Sequence, residues 1–357
     1  MTTCFKHILS LIMTAMLAVT PGCTTGDFDS QQHYEDYGCV MYFMDVGQAD
    51  CCLIKCDEEY MLIDGGNNDD GDMLCDYLES NGIESLKYIV ATHPHEDHVG
   101  GLDDVLYEVG AESVIIPDCD HSSPNGENLL DAITYCGAQT LYAEVGATYE
   151  LGRGSFEILG PVFIADDMNA NSIYLRFDYA GVSALFTGDG ERYEEETMLG
   201  RGLLSDIDIL KVGHHGSREA SSYNFLRTTM PEYAVISTGV GNSYGHPHDE
   251  AVSRLEDCGA TIYRTDEMGG VVFSTNGESI KVNTFDIETE APVEEKITDD
   301  QTIISEDSDT VYIGNIKSRA FHREECGGLP KEENRVYFNT KEEAEGQGYK
   351  PCGNCKP

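Results

Sequence analysis

The chain has 357 residues, 40% of them hydrophobic, which is enough for a core and excludes global disorder. Its 22 Lys and Arg stand against 65 Asp and Glu, a formal charge of −43, which excludes a protein that grips nucleic acid through a broadly basic surface. Trp is absent and Cys occurs 13 times, so the role of the thiols turns on the compartment.

In chain order, a short basic start and the apolar run from Ile8 to Val19 lead into T-P-G-C, ending at Cys23. The run is too short to span a bilayer and has the layout of a secretory signal. Small residues before Cys23 resemble a lipoprotein cleavage site. Residues 1–23 are therefore expected to be a signal peptide with a lipobox, and the protein to be secreted, either free or anchored through lipidated Cys23 to the outer face of a bacterial cytoplasmic membrane. Residues 24–37, rich in Ser, Thr, Gly, Asp and Gln, form a tether.

Residues 38–285 alternate short apolar runs with Gly-rich turns, which predicts one domain with many strands. Strands are expected at Val40 to Asp45, Cys52 to Lys55, Tyr60 to Ile63, Tyr88 to Thr92, Ser172 to Phe177, Ser183 to Thr187, Ile207 to Val212, Ala234 to Ser237 and Thr261 to Tyr263. Helical periodicity covers Asp72 to Ser80, Asn128 to Tyr135, Ser221 to Arg227 and Glu250 to Cys258. Residues 286–309 hold ten acidic side chains against Lys296 alone and read as a self-repelling linker. A compact module, 310–357, closes the chain. The eight cysteines of the large domain are open to disulfides or buried thiols, with Cys51 and Cys52 placed in the core.

The strand ending at Thr92 runs into T-H-P-H-E-D-H-V-G-G, which sets His93, His95, Asp97 and His98 within six positions. Imidazoles and a carboxylate at this density repel when charged and are costly to bury, whereas together they suit zinc and similar divalent ions. The alternation lets His93 and His95 face one ion while Asp97 and His98 turn to a second. Asp189 follows the apolar run S-A-L-F-T, where a lone carboxylate is expensive, so a metal partner is the physical expectation.

These blocks resemble the metallo-β-lactamase superfamily, and within it the C-terminal hydrolase domain of the ComEC/Rec2 DNA-uptake proteins. The matching segments are M-D-V-G-Q-A-D (Met44 to Asp50), L-I-D-G-G (Leu62 to Gly66), the His/Asp cluster, N-A-N-S-I-Y-L (Asn169 to Leu175), L-F-T-G-D-G (Leu185 to Gly190), D-I-L-K-V-G-H-H-G-S (Asp208 to Ser217) and Y-G-H-P-H (Tyr244 to His248). The resemblance implies an α+β fold, a four-layer αββα sandwich with a dinuclear site at one edge of its sheets. It assigns His93 and His95 to a first metal, Asp97 and His98 to a second, and Asp189 to a bridging position. Asp64 corresponds to the outer carboxylate that holds the histidine loop and fixes its tautomers. His214 and His215 compete for the last ligand; aligning H-H-G with the family's G-H-G favours His215 and leaves His214 behind the metal or facing substrate.

One departure stands out. The family supplies a third histidine to the first metal before the bridging Asp, but between His98 and Asp189 this chain has only His121, which lies too early. Asn169 and Asn171 occupy the corresponding stretch, and Asn171 is carried as a weak oxygen ligand. That pattern predicts a looser first site or a harder ion such as manganese, and argues against a β-lactamase.

The implied cofactors are two divalent ions, zinc or manganese, activating a water for attack on a phosphodiester. Asp97, His214 and His246 are the candidate catalytic residues, with His246 binding a phosphate oxygen or protonating the leaving alkoxide. A histidine beside Pro247 can also be structural, as can His248, and Ser217 can cap a helix as readily as touch substrate. Extracellular DNA is the expected substrate, with no nucleotide cofactor. Phosphorylcholine or teichoic-acid esters of the cell wall are the alternative, and a non-catalytic DNA-binding surface protein is the other class.

In the closing module His322, Cys326, Cys352 and Cys355 have the spacings H-x3-C and C-x2-C, which read as one closed structural zinc site. A Cys352–Cys355 disulfide is the alternative. The module resembles the metal-binding domain of the Ada DNA-repair proteins, with His322 where that family has its methyl-accepting Cys, so methyl transfer is not expected. The module has eight Lys/Arg against seven Asp/Glu, a balance of +1 that leaves −44 on the rest of the chain. A nucleic-acid contact and a protein-binding or structural knob are both open there.

Overall fold

The computed structural model describes residues 37–285, 312–315, 319–323, 335–338 and 341–351. The chain divides into two units, Met1–Val293 and Glu294–Pro357. The expected signal peptide with Cys23, most of the tether, the acidic linker, and Cys326, Cys352 and Cys355 lie outside the described residues.

The first half of the large unit contains β1 (Cys39–Phe43), β2 (Cys52–Cys56), β3 (Glu59–Ile63), α1 (Gly71–Ser80), β4 (Leu86–Val90), α2 (Glu96–Val99), α3 (Leu102–Glu108), β5 (Ala111–Ile116), α4 (Pro124–Cys136) and β6 (Gln139–Tyr142). The second contains β7 (Thr148–Leu151), β8 (Gly154–Gly160), β9 (Tyr174–Tyr179), β10 (Val182–Phe186), α5 (Arg192–Arg201), β11 (Ile209–Lys211), α6 (Tyr223–Thr229), β12 (Tyr233–Ile236), α7 (Asp249–Asp257) and β13 (Thr261–Arg264). It closes with α8 (Thr265–Met268), β14 (Gly270–Thr275) and β15 (Ile280–Phe285).

One sheet has the order β15-β14-β1-β2-β3-β4-β5-β6 and the other β13-β12-β11-β10-β9-β8-β7. Each is antiparallel on one side and parallel on the other: the parallel ladders are β3 to β6 and β10 to β13. Period-two alternation stacks four layers. Phe43, Ile54, Val90, Phe186 and Val235 point between the sheets, while Leu53, Ile89, Val114, Leu210 and Ala234 point outward. Helices α1, α3 and α4 cover the outer face of the first sheet, and α5, α6 and α7 that of the second. This is the four-layer αββα arrangement. In its middle Phe43 stacks on Phe186 at 5.9 Å and meets Phe273 edge-on at 5.7 Å, each buried ring contributing about 1.5–3 kcal/mol. The eight large-domain cysteines are free thiols, with Cys39, Cys51, Cys52 and Cys56 buried in the core.

Local sequence explains how the outer layer meets the histidine segment. Helix α4 begins with Ser123 accepting the Gly126 N–H, has Pro124 in its first turn and ends at left-handed Gly137. The same Ser123 hydroxyl donates to the Pro94 carbonyl at 3.1 Å, tying α4 to the loop between His93 and His95. Among the described residues no helix is long and apolar enough to cross a membrane.

In the second unit β16 (Tyr312–Asn315), β17 (Ala320–Arg323), β18 (Arg335–Phe338), α9 (Lys341–Gly346) and β19 (Lys350–Pro351) are described, with sheet order β18-β16-β17-β19. Phe321, Phe338, Ala344 and Tyr349 form its core. His322 follows Phe321 on β17, so its side chain leaves the opposite face of the strand, and it too is buried.

Candidate metal centre

Five parallel strands, β3, β4, β10, β11 and β12, end on one side of the sandwich, and the loops that follow them carry Asp64, His93 to His98, Asp189, His214 with His215, and Thr238 to His248. The carboxyl ends of parallel strands are where α/β sheets place their ligands. Asp189 is 2% exposed, and its approach depends on Gly188: a Cβ there would lie 2.8 Å from Ser172 Oγ. The Asp189 N–H donates to that Ser172 hydroxyl at 3.0 Å.

Asp64 sits in the left-handed region (φ 58°) and is wholly buried. Its carboxylate accepts from the Thr92 N–H at 2.7 Å and the Thr92 hydroxyl at 2.8 Å, and lies 2.8 Å from His98 Nδ1. A carboxylate can only accept, so His98 carries its proton on Nδ1 and its Nε2 is left facing Asp189 Oδ1 at 3.2 Å. His215 repeats the pattern. Its Nδ1 lies 3.1 Å from the Ser237 carbonyl and 3.2 Å from Asp50 Oδ1, and its Nε2 lies 3.3 Å from Asp97 Oδ2 and 3.7 Å from Asp189 Oδ1. His93 Nδ1 is 3.2 Å from the Thr92 hydroxyl, and its Nε2 is 2.9 Å from His95 Nδ1. The site therefore unites His93, His95, Asp97, His98, Asp189, His214 and His215.

The donor set suits a cation. One ligand atom from each of Asp97, His98, Asp189 and His215 lies within 4.8 Å of the others. His98 Nε2, His215 Nε2 and Asp189 Oδ1 are buried and have no hydrogen-bond partner among the described residues, although they face one another. Burial alone would lower His215, but the carboxylates of Asp189 and Asp50 push it up to about 10. Burial likewise opposes a charged His98, and Asp189 with Asp64 drives it well above the usual histidine range. Divalent cations held among these carboxylates and imidazoles would supply compensating positive charge.

Two charged groups here carry no role that the sequence alone reveals. Lys211, 4% exposed at the end of β11, donates to Asp50 Oδ2 at 2.7 Å and to the Val212 carbonyl at 3.0 Å. Burial works against the Asp50 carboxylate, but Lys211 and His215 hold it below the usual range. The available signal was a lysine inside the apolar run I-L-K-V, since a buried ammonium demands a counter-charge. Gln48 is the other kind of omission, a neutral clamp. Its Oε1 accepts from the Thr238 hydroxyl at 2.9 Å and the Gly239 N–H at 3.2 Å, which leaves its amide to donate to His246 Nδ1 at 3.4 Å. Nε2 is then the protonated nitrogen of His246.

The His246 backbone is clamped by Asn242, which accepts its N–H at 3.0 Å and donates to its carbonyl at 2.5 Å. Its ring lies 5.5 Å from that of His214 and 6.3 Å from that of His215, and burial with the neighbouring imidazoles lowers it to about 4. His248 is taken up by backbone: Nδ1 accepts the Arg218 N–H at 3.1 Å. Ser217 accepts the Glu219 N–H at 3.3 Å and so closes a turn.

Asn171 requires a correction. Its Oδ1 accepts the Ala165 N–H at 2.8 Å and its Nδ2 donates to the Ala165 carbonyl at 3.0 Å, so both ends of the amide hold a loop and neither joins the cluster as an oxygen ligand. Asn169 is the residue that turns inward, with Nδ2 3.5 Å from His214 Nε2 and a buried Oδ1 that has no hydrogen-bond partner among the described residues. In the closing module, His322 is lowered by burial, while its expected partner cysteines lie outside the described residues.

Residues 44–240 match the family described as the metallo-beta-lactamase superfamily, and residues 301–357 match the metal binding domain of Ada. ComE operon protein 3 of Bacillus subtilis is 29% identical over 218 residues, covering 60% of this chain and 27% of that protein. Competence protein ComA of Neisseria gonorrhoeae is 28% identical over 246 residues, 66% of this chain and 32% of that one. Recombination protein 2 of Haemophilus influenzae is 31% identical over 237 residues, 64% and 28% respectively. The chain thus spans about a third or less of the length of these relatives. Among solved structures, the metallo-beta-lactamase fold protein YhfI from Bacillus subtilis has a TM-score of 0.47 at 10% identity, over 66% of this chain and 99% of that one.

Proposed function

The chain belongs to the metallo-beta-lactamase superfamily, in a ComEC/Rec2-like form with an Ada-type module at its C-terminus, and from that membership we propose that it is a metal-dependent phosphodiesterase acting on DNA. The observation that carries the reading is the convergence of Asp97, His98, Asp189 and His215 on one point. Relatives named for competence and recombination favour DNA over a β-lactam as the substrate class.

His93, His95, Asp97, His98, Asp189 and His215 would hold two divalent ions, zinc or manganese, which supply Lewis-acid stabilisation of phosphoryl oxygens and an acidified water. The side chains do the rest. Asp64 and Asp50 keep His98 and His215 in the tautomer whose Nε2 faces the cluster. Gln48 leaves His246 with a protonated Nε2 beside that cluster, able to hydrogen-bond a phosphate oxygen or the departing alkoxide. On a chain of charge −43, a cation-bearing cleft is the local attraction for a polyanion.

The purified chain, incubated with single-stranded DNA, bis-p-nitrophenyl phosphate and a β-lactam under Mn²⁺ and Zn²⁺, should cleave both phosphodiesters in a metal-dependent manner. Turnover of the β-lactam alone, or of nothing, refutes the reading. The proposal extends to the ends of the chain. Cys23 carries a lipid, so Cys23→Ala should release the protein from the membrane fraction into the medium; unchanged partition speaks against anchoring. His322, Cys326, Cys352 and Cys355 hold one structural zinc, so Cys352→Ser with Cys355→Ser should lower zinc content by one equivalent.

A further inference from the structure

The two carboxylate oxygens of Asp189 face different pairs of imidazoles. Oδ1 lies 3.2 Å from His98 Nε2 and 3.7 Å from His215 Nε2, whereas Oδ2 lies 3.6 Å from His214 Nε2 and 4.0 Å from His93 Nε2. We propose that His214 is itself a metal ligand, so that the adjacent histidines of G-H-H-G serve separate ions. His214 joins His93 and Asp189 Oδ2 in one set, to which His95 is linked through its Nδ1, 2.9 Å from His93 Nε2, and His215 joins Asp97, His98 and Asp189 Oδ1 in the other. The proposal rests on the reading of this site as a metal centre and is independent of the substrate.

Three further observations support the assignment. His214 Nδ1 lies 3.0 Å from Glu191 Oε1, so Nδ1 is the donor nitrogen and Nε2 the acceptor, 3.6 Å from Asp189 Oδ2 and 3.5 Å from Asn169 Nδ2. This is the carboxylate–histidine arrangement that metal ligands adopt, and it repeats Asp64 with His98 and Asp50 with His215. Second, His214 (φ 50°) and His215 (φ 51°) are both left-handed, a conformation that non-glycine residues rarely adopt. It sends neighbouring side chains in different directions: the rings are 6.3 Å apart with planes at 68°. Such strain persists where function holds it in place. Third, the buried, unpartnered amide oxygen of Asn169 belongs to a side chain whose nitrogen is 3.5 Å from His214 Nε2. Turning that amide over presents an oxygen to the same set. The linear sequence thus lacks a third histidine ahead of Asp189, and the fold brings one from the segment that follows it.

The test is metal content. The full-length chain, stripped with chelator and titrated with Co²⁺, is analysed by elemental analysis after gel filtration and by visible absorption of the bound cobalt. Relative to wild type, His214→Ala should lose one equivalent, or weaken it by more than the roughly 10–100-fold of an outer-partner change, and keep the other. His215→Ala should lose the other equivalent, with a different spectral change. Any metal in the closing module is common to all variants and cancels. Melting of the stripped His214→Ala protein should equal that of stripped wild type, which separates ligand loss from misfolding. Glu191→Gln is the second variant; it keeps the imidazole and should weaken the same equivalent about 10-fold. A His214→Ala protein with wild-type stoichiometry, affinity and spectrum overturns the proposal. A wild type that binds both ions yet cleaves no phosphodiester refutes the DNA reading and leaves this assignment standing.

Discussion

The two ends of Asp189 are built from the same residue types in different surroundings. Around Oδ1, His98 and His215 are 0% and 2% exposed, and behind them stand buried Asp64 and the Asp50–Lys211 pair. Around Oδ2, His93 is buried as well, but the His214 side chain is 23% exposed and its partner Glu191 38%. Hydrogen bonds and charges in the dry interior are strong and slow to rearrange, whereas those at the rim are screened by water. Ions held at both ends would therefore be expected to sit more firmly at the inner end than at the outer. Chemistry of the ligand alone does not set how tightly it holds; the layer behind it does.

The largest effect comes from the residue the two ends share. Asp189→Asn should remove both equivalents and lower hydrolysis of bis-p-nitrophenyl phosphate by more than about 100-fold, beyond what any outer partner gives. Loss of only one equivalent, with the second ion bound as in wild type, would break the picture of a carboxylate serving both ends. Next comes the backing of the inner end. Lys211→Met strands a buried carboxylate and should cost about 3–5 kcal/mol in urea unfolding, most of it recovered in Asp50→Asn with Lys211→Met. A single variant as stable as wild type would mean that the inner end is less dry than its burial implies.

The ligand-bearing residues of both ends are legible in the sequence, and, Asp64 apart, the residues that back them are not. His93, His95, Asp97, His98 and Asp189 announce themselves because such residues are costly in a core without a shared partner. The fold was legible where apolar runs alternate with turns: Cys52 to Lys55 predicts β2 (Cys52–Cys56), and Asp72 to Ser80 predicts α1 (Gly71–Ser80). It was illegible for α5, where Met198 and Glu195 are the buried residues of a largely charged helix, so no apolar stripe appears. The edge strands β6 and β7 are mostly exposed and lack alternation for the same reason. Asp50 and Lys211 stand inside segments that were read for their resemblance alone. Each is meaningful only with the other, and they are separated by most of the domain in sequence.

Asn169 and Asn171 give a finer test of the outer end, because two residues in one tight turn face opposite ways. Asn169→Ala should weaken the outer equivalent about 10-fold and leave unfolding unchanged. Asn171→Ala leaves the Ala165 N–H and carbonyl without their partner and should cost about 1–3 kcal/mol with metal binding intact. The reverse pattern would return Asn171 to the site.

The smallest effect tests the outer end as the place where substrate arrives. A surface of charge −43 repels a DNA strand at long range, and a cation-bearing mouth would attract it. The screening length is about 10 Å at 0.1 M salt and about 3 Å at 1 M. Added salt therefore removes repulsion from distant carboxylates before it weakens a contact at the ion itself. Activity on single-stranded DNA should rise modestly between low and moderate salt, while activity on bis-p-nitrophenyl phosphate, which carries one charge and meets only the mouth, should stay flat. A steep fall with salt on DNA would point instead to a basic contact surface, and the near-neutral closing module, with its balance of +1, would be where to look for it.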